Sequence, residues 1–111
     1  MNKILEKIPK EFTINHINFI VEKPKSIDED NEKSFGYFSE ARQLIRIASN
    51  MRREGCFEPI TEEQKFYTFL HELGHCYACH TGIDDTEVQA QMFANFLYDF
   101  IKTVKYETDE E

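Results

Sequence analysis

A chain of 111 residues, of which 41% are hydrophobic and 14% aromatic, has the size of one domain and can bury a core. Its formal net charge of −8 gives the surface a negative potential that repels nucleic acid, so we expect no nucleic-acid partner. No run approaches the ~18 apolar residues of a membrane span and no signal-peptide pattern opens the chain, so we expect a cytoplasmic protein without membrane contact. The three cysteines fit reduced thiols better than a disulfide framework.

The first 60 residues predict a small antiparallel sheet. Strands are indicated by β-branched and aromatic residues, and loops by runs of charge and by proline. The predicted elements are, in order, a helix over 2–8, a strand over 12–21, a charged loop over 23–34, a hairpin formed by 34–38 and 43–48, and a loop over 49–60. Ser39 to Arg42 would form the turn of that hairpin.

Two amphipathic helices are predicted for the second half of the chain. Thr61 and Gln64 form a capping box that opens the first helix, and Gly82 ends it. Asp84 or Asp85 is predicted to cap the second helix, which should run to about residue 105. The apolar stripe of the first helix comprises Phe66, Phe69, Leu70, Leu73 and Tyr77. The stripe of the second comprises Val88, Met92, Phe93, Phe96, Leu97, Phe100, Ile101 and Val104.

Strands followed by two packed helices predict the α+β class. We expect residues 1–111 to form a single domain, in which the sheet packs on the first helix and on a long C-terminal helix. The acidic tail, residues 106–111, is expected to be a flexible, solvated end.

Two metal-binding motifs overlap in the first helix, in the sequence HELGHCYACH of residues 71–80. H-E-x-x-H binds zinc on a helix, whereas C-x-x-C-H attaches a c-type haem. On a helical wheel His71 and His75 lie one turn apart on a face outside the apolar stripe, as two ligands of one zinc ion require. Cys76 and His80 border the stripe instead, and we expect the two cysteines, Cys76 and Cys79, to fill the core. The zinc interpretation is therefore preferred.

A catalytic zinc ion needs a third protein ligand and an open position for water. The downstream candidates are His80, Asp84, Asp85 and Glu87. His80 points to another face of the helix. Glu87 shares its face with Ala90 and Ala94, whose small side chains would let the second helix come close to Gly74 and Ala78. The residues alone leave the choice open between Glu87 and the two aspartates.

The HELGH motif, followed by E-x-x-A-x-x-F-A over residues 87–94, resembles the ImmA/IrrE-type metallopeptidases of mobile elements and bacterial stress regulators. The upstream hairpin resembles their Gly-Tyr turn and Ile-rich strand, so the similarity covers about residues 35–98. The resemblance implies a minimal gluzincin fold, zincin-like, with zinc held by His71, His75 and Glu87. It also implies Glu72 as the general base and cleavage of a repressor-like protein.

The expected chemistry is zinc-assisted hydrolysis of a peptide bond, in which Glu72 moves the proton. The predicted strand 43–48 would be the edge strand of the cleft and would pair with an extended protein or peptide substrate. Tyr77, Tyr98 and Tyr106 are candidates for the oxyanion donor. Two alternatives remain open: a catalytically silent, zinc-stabilised binding module of a mobile element, and a self-inhibited, zymogen-like peptidase. Glu72 favours catalysis, because zinc binding does not need it.

Overall fold

A computed structural model of the chain describes residues 7–29, 32–53 and 55–107. Eight short strands precede two helices in these ranges: β1 Glu11–Ile14, β2 Ile17–Glu22, β3 Ile27–Glu29, β4 Glu32–Ser34, β5 Gly36–Ser39, β6 Leu44–Ile47, β7 Asn50–Arg53, β8 Cys56–Pro59, α1 Glu62–Thr81 and α2 Glu87–Thr103. The helix predicted over residues 2–8 and the acidic tail fall largely outside the described residues. Within those residues, neither helix is long and apolar enough to cross a bilayer.

The main sheet has four strands in the order β1-β2-β6-β5. β1 pairs with β2, and β5 with β6, in antiparallel fashion, but β2 and β6 are parallel. The α+β class is therefore confirmed, whereas the prediction of an antiparallel sheet was wrong. The chain leaves β2, forms β3 to β5 and returns beside β2 in the same direction, which makes the central pairing parallel. This return also places β6 inside the sheet and β5 at its edge, so the strand over 43–48 is not the edge strand.

Three shorter hairpins were not predicted. The strand expected over 12–21 is two strands, because Asn15 and His16 have φ values of 51° and 68° and form a two-residue turn. The expected loops over 23–34 and 49–60 contain the hairpins β3–β4 and β7–β8. The ladders of β3–β4 and β7–β8 are short, and the strand sequences IDE, EKS, NMRR and CFEP lack the alternation of apolar and polar residues that predicts a strand with one buried face.

The core lies where α1 meets the sheet. Its buried cluster consists of Val21, Ile45, Ile47, Phe66, Phe69, Leu70 and Ala94. Helix α1 contacts β5 and β6 as well as α2, so it forms the centre of the domain. It begins at the Thr61 cap, whose hydroxyl accepts a hydrogen bond from the Gln64 amide, and ends at Gly82 with φ 81°, as predicted. Tyr77, predicted for the core stripe, is 46% exposed.

Helix α2 makes its closest contact with α1 through small residues. Ala90 and Ala94 are fully buried, and Leu97 and Ile101 pack against the core cluster. The helix face that carries Ala90 and Ala94 makes this close contact. The face that carries Val88 and the residues at every fourth position after it therefore points to solvent. Four members of the predicted core stripe are accordingly exposed: Val88, Met92, Phe96 and Phe100. That part of the core prediction was wrong.

The cysteines of the C-x-x-C-H motif have different environments. Cys76 is 1% exposed, and burial raises the pKa of its thiol to about 11. Cys79 is exposed. The prediction that both fill the core is therefore correct for Cys76 and wrong for Cys79.

Thr86, rather than Asp84 or Asp85, caps helix α2. Its hydroxyl accepts a hydrogen bond from the Gln89 amide at 3.0 Å. We expect Thr86→Ala to lower the free energy of unfolding by about 1 kcal/mol, the usual cost of a lost N-cap. Urea denaturation of the metal-free protein measures this change, with Asp84→Ala as the matched control. A larger loss of stability in Asp84→Ala than in Thr86→Ala would mean that Asp84 caps the helix, as the sequence predicts.

Candidate metal centre

Helix α1 presents His71 and His75 side by side. The residues are four apart and the helix is unbroken, so both rings project from one face, with ring centroids 5.1 Å apart. Both side chains are largely shielded from solvent, with exposed fractions of 19% and 13%. The core stripe of α1 lies on another face, which leaves the imidazole nitrogens available to a ligand.

Glu87, the first residue of α2, reaches both histidines. Its Oε1 lies 2.9 Å from Nε2 of His71 and its Oε2 lies 3.3 Å from Nε2 of His75. One ligand atom from each of these three residues can be chosen so that all lie within 4.8 Å of one another. Bonds of about 2.0–2.2 Å in a tetrahedral zinc site hold ligand atoms about 3.3–3.6 Å apart, close to the spacing seen here. Two imidazoles and a carboxylate therefore fit a divalent metal ion with little rearrangement.

The small residues between the helices bring Glu87 into reach. A Cβ atom added at Gly74 would lie 3.0 Å from Cα and 3.1 Å from the carbonyl oxygen of Ala90. An alanine at this position would require the backbone of α2 to shift by a few tenths of an ångström. Since Ala90 follows Glu87 by less than one turn of α2, the contact fixes the start of that helix beside His71 and His75. The expectation that Ala90 and Ala94 allow a close approach is confirmed.

Asp85, considered as a zinc ligand from the sequence, takes a different position. Its Oδ1 lies 2.6 Å from Nδ1 of His75, on the side of the ring away from Glu87. An Nδ1–H donated to Asp85 fixes the tautomer in which Nε2 carries the lone pair that a metal needs. Burial lowers the pKa of His75, but the Asp85 hydrogen bond and the charges of Glu72, Asp85 and Glu87 outweigh it and raise the pKa overall. Asp84 makes no contact of this kind among the described residues.

We expect Asp85→Asn to weaken zinc binding by about 10–100-fold, because the orienting carboxylate raises the basicity of the ligating imidazole. Competition with a chromophoric chelator measures the affinity. Asp84→Asn is the matched control, since it removes the same charge from the neighbouring exposed position. Equal affinities of the two variants would show that Asp85 acts only through its charge.

Glu72 lies at the base of the site and is only 8% exposed. Burial raises the pKa of its carboxyl from 4.5 to about 7, although the nearby histidines lower it. Strand β5 covers this side chain closely: a Cβ atom at Gly36 would lie 2.8 Å from Oε2 of Glu72. Glu72 is thus a carboxyl group with a pKa near neutrality, held beside the three side chains that could hold a metal ion.

A cleft of about 320 Å³ opens next to these residues. Its lining consists of Phe35, Gly36, Gln64, Tyr67, Thr68, His71, Glu72, Glu87 and Gln91. The tyrosine in the cleft is Tyr67, whereas Tyr77, Tyr98 and Tyr106 are absent from its lining. Tyr67 lies one turn before His71 on the same face of α1, a spacing from which the sequence could have indicated it.

Tyr67 belongs to a directional hydrogen-bond chain on the wall of the cleft. The amide Nε2 of Gln91 donates to the Tyr67 hydroxyl, which in turn donates to Oδ1 of Asn95. The chain orients the side chain of Gln91, one turn after Glu87, and leaves its second N–H and its carbonyl oxygen for other partners. His80 lies elsewhere, against the ring of Phe19 and 3.2 Å from Oε1 of Glu40.

Comparisons with known proteins give no match to a family model, to a curated protein or to a solved structure. A function for this chain therefore has to be inferred from the residues of the site and from their spacing in the sequence.

Proposed function

We propose that the protein is a zinc metalloendopeptidase of the ImmA/IrrE type, with a zincin-like site and a regulatory protein as substrate. The observation that carries the proposal is the convergence of Nε2 of His71, Nε2 of His75 and the Glu87 carboxylate beside the buried carboxyl of Glu72. A structural metal site would need no such carboxyl group and no adjoining cleft. The resemblance of the HELGH and E-x-x-A-x-x-F-A motifs to that family supports the same conclusion.

In this proposal each side chain has one task. His71, His75 and Glu87 hold the ion, and Asp85 orients His75. Zinc, when bound, supplies a Lewis acid that lowers the pKa of water to about 7 and polarises a carbonyl group. Glu72 accepts the proton of the attacking water and delivers it to the leaving amine.

The cleft suggests how a peptide would lie. β5 is at the edge of the main sheet, and its first residue, Gly36, lines the cleft beside Glu72. An extended substrate alongside β5 would place its backbone next to Glu72 and the two histidines. The uncharged amides of Gln64 and Gln91 would then bind backbone carbonyl and N–H groups. β5 thus takes the role that the sequence had suggested for residues 43–48.

The proposal is tested by metal analysis followed by a cleavage assay. Protein purified without chelators should contain about one zinc ion per chain, and His75→Ala should lose it. The wild type and Glu72→Gln are then incubated with a peptide library derived from a bacterial proteome, and new termini are identified by mass spectrometry. Termini produced only by the wild type support a peptidase, and their sequences define its specificity. A metal-free protein that cannot be reconstituted with zinc would end the proposal.

The same assay separates the peptidase from a zinc-stabilised binding module. A module of that kind would retain zinc, lose stability when the metal is removed and produce no new termini. Its Glu72→Gln variant would then be indistinguishable from the wild type with every library. The third possibility is a self-inhibited, zymogen-like peptidase, which would cleave peptides only after its inhibiting segment is removed. Limited proteolysis before the assay tests this possibility.

A further inference from the structure

Helix α2 carries a row of large apolar side chains that the fold leaves uncovered. Val88, Met92, Phe96 and Phe100 recur at every fourth position, and their exposed fractions are 68%, 66%, 75% and 51%. We call these four residues the α2 stripe. Single exposed apolar side chains are ordinary on protein surfaces, but an aligned row along one helix is not. The row lies beyond the metal-binding residues and takes no part in the proposed chemistry.

The area of the α2 stripe is comparable to that of the largest apolar patch on a typical monomer. Aromatic side chains offer about 150–250 Å² each, and valine and methionine somewhat less, so the exposed fractions amount to roughly 500 Å². The largest apolar patch on a typical monomer measures about 300–600 Å² and is often functional. Two such stripes facing each other would bury about 1,000 Å², the lower limit for a specific interface, which indicates a weak dimer.

The spacing of the stripe suits a second copy of the same chain. Residues at i, i+4, i+8 and i+12 form a ridge inclined to the helix axis, and two identical ridges interdigitate at a crossing angle of about −50°. Self-complementary packing of this type generates a closed two-fold dimer, the commonest symmetry of soluble oligomers. With the axis between Met92 and Phe96, Met92 contacts Phe96 of the second copy, and Val88 contacts its Phe100.

The helix dipoles favour the antiparallel arrangement that a two-fold axis perpendicular to the helix requires. Antiparallel helices place the partly positive start of each α2 beside the partly negative end of the other, whereas parallel helices would place like ends together. The spacing of the stripe and the helix dipoles therefore agree on one arrangement.

We infer that the α2 stripe is a two-fold interface through which two copies of this chain associate. The inference does not depend on the metal ion or on peptidase activity, since the stripe residues belong to neither. Because buried area does not fix the affinity of an interface, the association has to be measured over a wide range of protein concentration. Phe96, the most exposed aromatic residue and next to the proposed axis, should contribute most to the binding energy.

Sedimentation equilibrium from about 1 µM to about 500 µM tests the association. The wild type should shift from monomer to dimer, and Phe96→Glu should weaken dimerisation by at least ~30-fold, as expected for a central aromatic anchor. Phe57→Glu is the matched control: it makes the same change at an aromatic residue 39% exposed on β8 and should leave the dimer intact. Circular dichroism verifies folding, and Met92→Lys provides a second variant of the stripe. A wild type that stays monomeric, or a dimer that both stripe variants preserve, would overturn the inference.

Cross-linking tests the direction of the helices. In a Cys56→Ser/Cys79→Ser background, Met92→Cys and Phe96→Cys variants are oxidised separately and as an equimolar mixture. The proposed axis brings position 92 of one copy against position 96 of the other, so the mixture should form disulfide dimers faster than either variant alone. Faster cross-linking of the separate variants would mean that the helices are parallel, which contradicts the proposed interface.

Discussion

Glu72→Gln should abolish nearly all peptidase activity, a loss of ~10²–10⁴-fold in kcat, while the zinc content stays at that of the wild type. Glutamine keeps the size and hydrogen-bonding capacity of the side chain but cannot accept the proton of water. Zinc is retained because the three ligating side chains, His71, His75 and Glu87, are unchanged. Steady-state kinetics on a peptide found by the library assay, together with metal analysis of the same preparations, provides both readouts. Equal kcat values would exclude Glu72 as the base.

The same substitution has a second, independent effect on stability in the metal-free protein. Burial raises the pKa of Glu72 from 4.5 to about 7. Below pH 4.5 the Glu72 carboxyl is protonated in both the folded and the unfolded state. As the pH rises from 4.5 to about 7, this carboxyl ionises first in the unfolded state, so the folded protein becomes less stable. Above pH 7 the penalty is on the order of 3 kcal/mol, and Glu72→Gln removes it. Urea denaturation should therefore show the variant to be more stable than the wild type at pH 8, with the difference vanishing near pH 4.

Helix α1 was predictable because its signals are local. Thr61 and Gln64 mark its start, Gly82 marks its end, and the spacing of His71 and His75 fixes their common face. Each of these depends on residues within one turn of one another. The turn at Asn15 and His16 is also local, but the residues around it all favour a strand, so the sequence predicts one continuous strand there.

Features that depend on non-local packing could not be predicted in the same way. The parallel pairing of β2 with β6 is set by the path of the chain between these strands. The hydrophobic periodicity of the sequence does not indicate that path. Helix α2 has apolar residues around more than one face, and only contact with Gly74 decides that Ala90 and Ala94 are buried while Phe96 is exposed. The hydrogen bond from His75 to Asp85 likewise depends on how the loop between the helices turns back. These long-range contacts determine which apolar residues are buried in the core and which are exposed on the surface.

Gly74→Ala should destabilise the protein and weaken zinc binding, although alanine is the better helix former. In an unconstrained helix the change would stabilise by about 1 kcal/mol. Here the new methyl group meets Cα and the carbonyl oxygen of Ala90 at 3.0 and 3.1 Å and Cβ of Phe93 at 3.2 Å. Two of these atoms belong to the backbone, so helix α2 itself has to move. Overpacking of this kind costs about 1–3 kcal/mol, and three simultaneous contacts place the cost in the upper part of that range.

The displacement of α2 withdraws Glu87 from His71 and His75, and we expect zinc affinity to fall by about 10–100-fold. Urea denaturation of the metal-free variant and chelator competition measure the two effects separately. Ala78→Gly is the matched control, because it lies one turn further along α1 and costs about 1 kcal/mol in helix propensity but opens space instead of filling it. The control should lose stability and keep its zinc affinity. If both variants lost zinc to the same extent, affinity would follow overall stability, and the close approach at Gly74 would have no particular role in placing Glu87.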